Sequence, residues 1–145
     1  MKFSFATAED EKPIKQILAE IDLPYQDISS SQLRHFLIVK DGSGSTLAGV
    51  VGLELRDDAG LLRSLAVADA YRRKGLATQL VNKIEEYARS QNITALYLLT
   101  LTAEDFFAAR KYQKTDRESA PPALQETAEF KRLCPETAVC MKKHL

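Results

Sequence analysis

Residues 65–78, Leu65-Ala66-Val67-Ala68-Asp69-Ala70-Tyr71-Arg72-Arg73-Lys74-Gly75-Leu76-Ala77-Thr78, constrain this chain more than any other stretch. An apolar run enters a basic, glycine-containing turn, and a long amphipathic helix leaves it. Leu76, Leu80, Val81, Ile84, Tyr87 and Ala88 form one stripe of that helix, expected from about Gly75 to Ser90. The first amides of a helix lack internal partners and carry the positive end of its dipole. Gly75 admits close backbone approach, Ala77 keeps the next turn narrow, and Arg72, Arg73 and Lys74 add positive charge. Together they make a cradle for an anion such as a pyrophosphate. Two common phosphate loops do not fit. A Walker loop needs Gly-Lys-Ser/Thr, whereas Leu76 follows Gly75, and the dinucleotide fingerprint needs two further glycines at set spacing.

The rest of the chain supplies a sheet for this helix to pack on. Phe3 to Ala6 is expected as a first strand, followed by a helix capped by Asp10, with Pro13 in its first turn and Ile14, Ile17, Leu18 and Ile21 at helical spacing. Leu23-Pro24 ends it, and Ser29-Ser30-Ser31 caps a short second helix that includes Leu33. Phe36 to Lys40, Leu47 to Leu55 and Leu61 to Val67 read as an antiparallel meander, turning at Asp41-Gly42-Ser43-Gly44-Ser45 and Asp57-Asp58-Ala59-Gly60. Ile93 to Leu101 is nearly continuously apolar, the pattern of a central buried strand. Ala103 to Lys111 reads as helix, Tyr112 to Asp116 as strand, the stretch after Ser119-Ala120-Pro121-Pro122 as a short helix ending near Leu133, and Thr137 to Met141 as the last strand. The order predicts an α/β fold in one domain, 1–145, with a mixed sheet and helices on its faces.

Composition removes several classes of function. Twenty Lys and Arg balance twenty Asp and Glu, so the chain lacks the basic excess of a dedicated nucleic-acid binder. The apolar share of 45% and charged share of 28% belong to a globular domain. The N-terminus, Met1 to Ala8 running into Glu9-Asp10-Glu11, has no apolar core long enough for a signal peptide, and Ile93 to Leu101 is far short of a bilayer span. Cys134 and Cys140 make no disulfide framework, and His35 and His144 lie outside metal-ligand spacing. The expectation is a cytoplasmic enzyme or binding domain with no metal, no nucleic acid and no membrane partner.

Arg72-x-x-Gly75-x-Ala77, after a strand ending Leu65-Ala66-Val67, closely resembles the acyl-CoA-binding motif of the GNAT superfamily of N-acetyltransferases. The meander before it, the buried strand after it and the segment Ala103-Glu104-Asp105-Phe106-Phe107 agree, so the resemblance covers almost the whole chain. It implies a mostly antiparallel sheet whose strands Leu61–Val67 and Ile93–Leu101 splay apart to admit acetyl-CoA. It further implies that backbone groups of Leu65, Ala66 and Val67 meet the pantetheine arm, with one amide polarising the thioester carbonyl. The amides from Arg73 through Gly75, Leu76 and Ala77 to Thr78, and the Thr78 hydroxyl, would hold the pyrophosphate. Arg117, Ala120-Pro121, Thr127, Glu129-Phe130, Leu133-Cys134-Pro135, Ala138 and Met141, with Leu61 to Val67, are similar to arsenic-resistance-associated members of the superfamily.

The catalytic residues depart from the family pattern. Many relatives carry Phe-Tyr-x-x-x-Gly-Phe, with the Tyr as general acid; this chain has Phe106-Phe107-Ala108-Ala109-Arg110-Lys111-Tyr112. Phe107 cannot donate a proton, but a thiol of pKa ~8.5 can leave as thiolate without an acid. Glu54, on the strand face opposite Leu53 and Leu55, is the candidate base, directly or through water; the plainer reading leaves it in solvent at a sheet end. Arg63 alternates onto one face with Leu61, Leu65 and Val67. Arg63 and Arg117 are the candidate clamp for a substrate carboxylate or oxyanion, unless each pairs locally with Asp57 or Glu118. Ser64, the two cysteines and the aromatics Phe106, Phe107 and Tyr112 read as structural, and His35 as a surface residue.

The reading this supports is an acetyl-CoA-dependent N-acetyltransferase acting on a small amine, such as an amino acid, within a ternary complex. Two alternatives stand beside it: an acetyltransferase acting on protein amino groups, and a non-catalytic acetyl-CoA sensor or assembly module. Exposed sheet edges leave a homodimer open.

Overall fold

The computed structural model describes residues 1–42 and 46–145. The chain opens with strand β1 (Lys2–Phe5) and a single 3-10 turn, then helix α1 (Glu11–Glu20). Asp10 does not cap α1 through its side chain. Its carboxylate accepts from the backbone N–H of Thr7 at 2.8 Å and pairs with Lys40 at 3.1 Å, which fixes the preceding 3-10 turn instead. Helix α2 (Ser30–Leu33) follows, with Gln32 reaching back to the backbone N–H of Ser29 at 2.7 Å, a capping box.

The meander is β2 (Phe36–Lys40), β3 (Leu47–Arg56) and β4 (Ala59–Val67), paired antiparallel. The turn expected at Asp41–Ser45 falls partly on residues 43–45, outside the described residues. The second turn is tighter than its sequence indicates. Arg56 pairs with Ala59, leaving Asp57 and Asp58 as the loop, with Asp57 at φ 57°. Ala59 and Gly60 therefore belong to β4. Gly60 is needed there, because a Cβ would stand 2.9 Å from Leu96 and 3.0 Å from Leu53.

Helix α3 (Leu76–Ser90) leads to β5 (Ala95–Thr100), α4 (Glu104–Ala109) and β6 (Gln113–Thr115). The expected last helix is divided into α5 (Pro122–Gln125) and a wider π-type turn, Glu129–Leu133, before β7 (Val139–His144). Strand order is β1-β2-β3-β4-β5-β7-β6, with β4 and β5 the one parallel pair among the described strands. No helix of the described residues is long and apolar enough to cross a membrane.

Strand pleating sends alternate residues to opposite faces, and helices cover both. Leu37, Val39, Val51, Leu53 and Leu62 pack with Leu80, Val81 and Ile84 of α3. Phe36, Ile38, Val50 and Ala66 pack with Ile14 and Leu18 of α1 and Leu33 of α2. Each fully buried side chain of this size stabilises the fold by about 1.5–3 kcal/mol. A third cluster joins Leu61 and Tyr97 to Leu124 and Phe130, anchoring the C-terminal segment on the sheet.

The β3–β4 ladder carries one irregularity. Gly52 pairs with Arg63 and Val50 with Ala66, so Val51 faces two residues, Ser64 and Leu65. This is a β-bulge, with Ser64 in the left-handed region at φ 60°. Alternation changes parity across it. Leu62 and, beyond the bulge, Leu65 and Val67 belong to the α3 face, while Ala66 belongs to the α1 face. Arg63 therefore does not share a face with Leu65 and Val67, as unbroken alternation predicts.

Candidate active site

Pairing between β4 and β5 covers Ala59–Leu61 against Ala95–Tyr97 and then stops. From that point β5 continues with β7 on its other side, through Leu98, Leu99 and Thr100, while β4 bends at the bulge. The strands diverge into a cleft of about 870 Å³, walled by Leu62 to Leu65 and by Leu98 to Ala103. That volume lies within the range of small-molecule sites. The segment from Leu23 to Gln26 and the turn from Glu129 to Pro135 enclose it, and Arg72 borders it.

The N-terminus of α3 lies next along the chain. Gly75 sits at φ 77° and Arg73 at φ 64°, two left-handed residues that set the basic turn at the mouth of the helix. A Cβ on Gly75 would meet nothing within 4 Å, so the turn is open on that side. Arg72, Arg73 and Lys74 are exposed there. Arg72 also braces the turn, donating from Nε to the Val67 carbonyl at 3.0 Å and pairing with Asp69. The Thr78 hydroxyl accepts from Arg110, a cation carried by the residue after α4. Arg110 donates to the Phe106 carbonyl and lies over the Phe106 ring, while its Nε is buried without a partner among the described residues.

At the bulge, Arg63 is fully buried and surrounded by acid. Nη1 donates to Glu54 at 3.0 Å, Nη1 and Nη2 to Asp27, the latter at 2.8 Å, and Nε to Ser64 at 3.0 Å. Glu129 Oε2 stands 3.2 Å from the same Nε. One guanidinium thus faces three carboxylates. Burial disfavours its charge, but these partners win and raise its pKa well above the ordinary arginine value. Burial also acts to raise Asp27, and the hydrogen bonds and charge of Arg63 outweigh it, holding that carboxyl below its usual range. Glu129 goes the other way. Burial pushes it up to about 7 against the pull of Arg63, and Asp27 and Glu54 add repulsion.

Glu54 is 4% exposed, in contrast to a solvated position at a sheet end. It accepts from Arg63, from Arg56 at 3.3 Å and from Gln32 at 3.4 Å, and it lines a separate polar cavity with Ser29, Gln32 and Arg56. Arg63 does not present a free clamp, because a substrate carboxylate would compete with three protein carboxylates already in contact. Arg117 is not among the residues lining the cleft. Its guanidinium donates to the carbonyls of Phe130 at 2.7 Å, Pro135 at 2.8 Å, Cys134 at 3.1 Å and Glu129 at 3.3 Å, and so holds the π-type turn together. The residues that do border the cleft from that turn are Glu129 and Arg132.

Phe107 lines the cleft and packs edge-on against Tyr112 with ring centroids 5.4 Å apart. The Tyr112 hydroxyl donates to Glu85 at 2.8 Å, and Glu85 also takes Lys143 at 2.9 Å. Burial pushes the Cys134 thiol up to about 12 and Cys140 to about 11, so neither is an activated thiolate near neutral pH. His35 is partly buried, paired with the Tyr87 hydroxyl at 2.6 Å. No group of His, Cys, Asp and Glu among the described residues is placed to hold a metal ion.

Sequence reasoning missed Asp27, Glu129, Arg132 and Arg110 as residues of this region. The chain offered one signal for the first two: a charged residue, Arg63, inside an otherwise apolar strand demands buried counter-charge from elsewhere. Periodicity does not say where that charge comes from.

Comparison with known proteins agrees with this geometry. The acetyltransferase (GNAT) family pattern matches residues 4–115. The amino-acid acetyltransferase of Pseudomonas aeruginosa (strain PAO1) is 30% identical over 108 residues, 74% of this chain and 25% of that protein. That of Pseudomonas fluorescens (strain Pf0-1) is 28% identical over the same length. The chain thus spans about a quarter of the length of these curated relatives. Among solved structures, N-acetylglutamate synthase from Neisseria gonorrhoeae, complexed with coenzyme A and N-acetyl-glutamate, superposes with a TM-score of 0.84 at 21% identity, over 99% of this chain and 35% of that one. A Mycobacterium tuberculosis protein in complex with CoA and NLQ superposes with a TM-score of 0.80 at 17% identity, over 100% of this chain and 99% of that one. Sequence pattern, strand order and the opened β4–β5 pair converge: the chain belongs to the GNAT family of acetyltransferases.

Proposed function

We propose that this chain transfers the acetyl group of acetyl-CoA to the amine of an amino acid or amino-acid-like compound, by direct attack in a ternary complex. The observation that carries the reading is the continuity of two binding features. The edge of β4 from Leu62 to Val67, which β5 leaves unpaired, runs directly into the basic turn at the α3 N-terminus. An extended arm ending in a pyrophosphate fits both together. Leu65, Ala66 and Val67 would pair with the arm as an added strand does, and the amides from Arg73 to Thr78 would face the phosphates. Arg72, Arg73, Lys74 and Arg110 supply the charge. When bound, acetyl-CoA supplies an activated thioester; the chain holds and orients it and excludes water from the cleft.

The acceptor side is enclosed by the Leu23–Gln26 segment and the Glu129–Pro135 turn, which favours a small amine over a protein surface. The Pseudomonas relatives, amino-acid acetyltransferases, support the same acceptor class. The likeness of the tail to arsenic-resistance-associated acetyltransferases adds arsenic-bearing amino acids to the acceptors worth screening. Free cysteines accord with a reducing cytoplasm. Both cleft walls come from this chain, which supports reading residues 1–145 as a single acetyltransferase domain.

Phe107, which lacks the hydroxyl of an acid catalyst, favours a second reading as an acetyl-CoA sensor. Calorimetry with acetyl-CoA followed by a thiol-release assay over a panel of amino acids, simple amines and peptides separates the two. Binding with turnover on amino acids is expected. Binding without turnover on any amine turns the protein into a sensor, and absence of binding by folded protein overturns both readings.

A further inference from the structure

We propose that the Glu129–Leu133 turn is the acceptor-recognition element, with Glu129 receiving the proton of the substrate ammonium and Arg132 holding the substrate carboxylate. The inference rests on the acetyltransferase reading and names the groups that would serve it. Of the three carboxylates around Arg63, Glu129 is the one that borders the cleft; Asp27 and Glu54 do not. Asp22 also borders it, but from an exposed position. Glu129 is 4% exposed and shares Arg63 with two better-placed competitors, having one contact to Nε where Asp27 has two hydrogen bonds to the guanidinium. Among the described residues, its other oxygen, Oε1, has only the Cys134 thiol, at 3.7 Å. A carboxylate so thinly compensated in a buried site gains from a second cation, and an ammonium group is one.

Arg132, from the same turn, borders the cleft and is exposed. Its charge acts on Asp27 through space, and it forms no contact ion pair among the described residues. One acid and one base on a single turn are the complement of a zwitterion. The turn is held rigidly for this purpose by the four carbonyl contacts of Arg117, which include those of Glu129 and Phe130.

The proton balance is simple. Glu129, as carboxylate, takes one proton from the ammonium, leaving a neutral amine. The amine nitrogen bonds to the thioester carbonyl carbon, the carbon–sulfur bond breaks, and the sulfur leaves with the electron pair as thiolate. The second proton lost from nitrogen neutralises that thiolate to the free thiol, and Glu129 returns the first to water. The groups that face Glu129 and set its proton affinity are Arg63 from β4, Glu54 from β3, Asp27 from the segment before α2, and Cys134 from its own turn. Held up to about 7, Glu129 is poised to take and return a proton near neutral pH.

The test uses the full chain. Glu129→Gln is expected to lower kcat by ~100-fold or more with acetyl-CoA affinity by calorimetry unchanged, and Glu129→Asp to retain part of kcat. Arg132→Gln is expected to raise KM for the amino acid with little change in kcat, and to lose its preference for the free acid over the amide of the same amino acid. Carbon-13 NMR titration of glutamate-labelled wild type, with acetyl-CoA absent, is expected to show one side-chain carboxyl titrating near neutral pH that disappears in Glu129→Gln or Glu129→Asp. This reads Glu129 even where one variant folds poorly. Wild-type turnover with an equally active Glu129→Gln overturns the inference and leaves the acetyltransferase reading standing. So does loss of turnover confined to Glu54→Gln. A wild type that turns over no amine overturns both.

Discussion

Arg110 donates to the hydroxyl of Thr78, tying the end of α4 to the first turn of α3. The contact brings a guanidinium from a distant part of the chain to the helix terminus expected to face phosphate. Its Nε is buried with no partner among the described residues, an arrangement that costs free energy unless a ligand completes it. Arg110→Ala is expected to weaken acetyl-CoA binding about tenfold, the scale of one charge-assisted hydrogen bond. Calorimetry at two salt concentrations checks it. Unchanged affinity would assign Arg110 to helix docking alone.

Gly75 at φ 77° stands in space that is open to a side chain and in a conformation that is not. Gly75→Ala therefore isolates the backbone requirement from any clash. The substitution should cost about 1–2 kcal/mol of stability, or turn the first amides of α3 away and weaken acetyl-CoA binding. Thermal melts and calorimetry together show which. A variant that matches wild type in both measurements removes the left-handed turn from the binding account.

Arg63→Met leaves three buried carboxylates without their shared cation. A loss of about 3–5 kcal/mol at neutral pH is expected, as for one partner removed from a buried ion pair. The loss should shrink as the pH falls and the carboxylates take up protons. Urea unfolding at pH 7.5 and pH 5 measures both. A neutral effect at pH 7.5 would mean that solvent already screens the cluster.

Glu129 makes stability depend on pH in a stated direction. Its folded value is raised from 4.5 to about 7, so between these values the folded chain holds a proton that the unfolded chain releases. The stability this contributes is complete below pH 4.5 and is lost as pH rises through 7. His35, lowered first by burial and then by Arg34, gives the opposite slope below its ordinary 6.5. Asp10 and Asp27, both held low, act only toward acid pH. The difference in unfolding free energy between wild type and Glu129→Gln isolates the Glu129 contribution, and it should fall for wild type from pH 5 to 8. A flat difference would place Glu129 in an ordinary, solvated environment.

The fold was legible where local pattern and tertiary role coincide. The α3 stripe, the apolar β5 and the Ser29 cap each announce an element through spacing that depends only on near neighbours. Asp57-Asp58-Ala59-Gly60 misled because glycine reads as a turn, whereas Gly60 is there to let β4 approach Leu96 and Leu53. Alternation failed at Ser64 because a serine in the left-handed region carries no sequence signature of its own. Glu85 shows the same limit. It lies on the buried side of α3 because Lys143 and Tyr112 meet it there, partners far along the chain. The basic turn at the α3 N-terminus was readable, being one continuous segment. The buried charge cluster was not, since Asp27, Glu54, Arg63 and Glu129 are gathered from four separate segments by packing alone.

The bulge in β4 has a consequence for how this protein can change. The cleft is held open by one surplus residue between Arg63 and Ala66. Deleting Ser64 would remove the bulge while keeping Leu65 and Val67 on the α3 side and Ala66 on the α1 side, and would let β4 resume its ladder beside β5. The result would be a better-paired sheet with nowhere to put a substrate. Substitutions can tune this site one side chain at a time, but a single lost codon would trade it for a longer hydrogen-bonded strand.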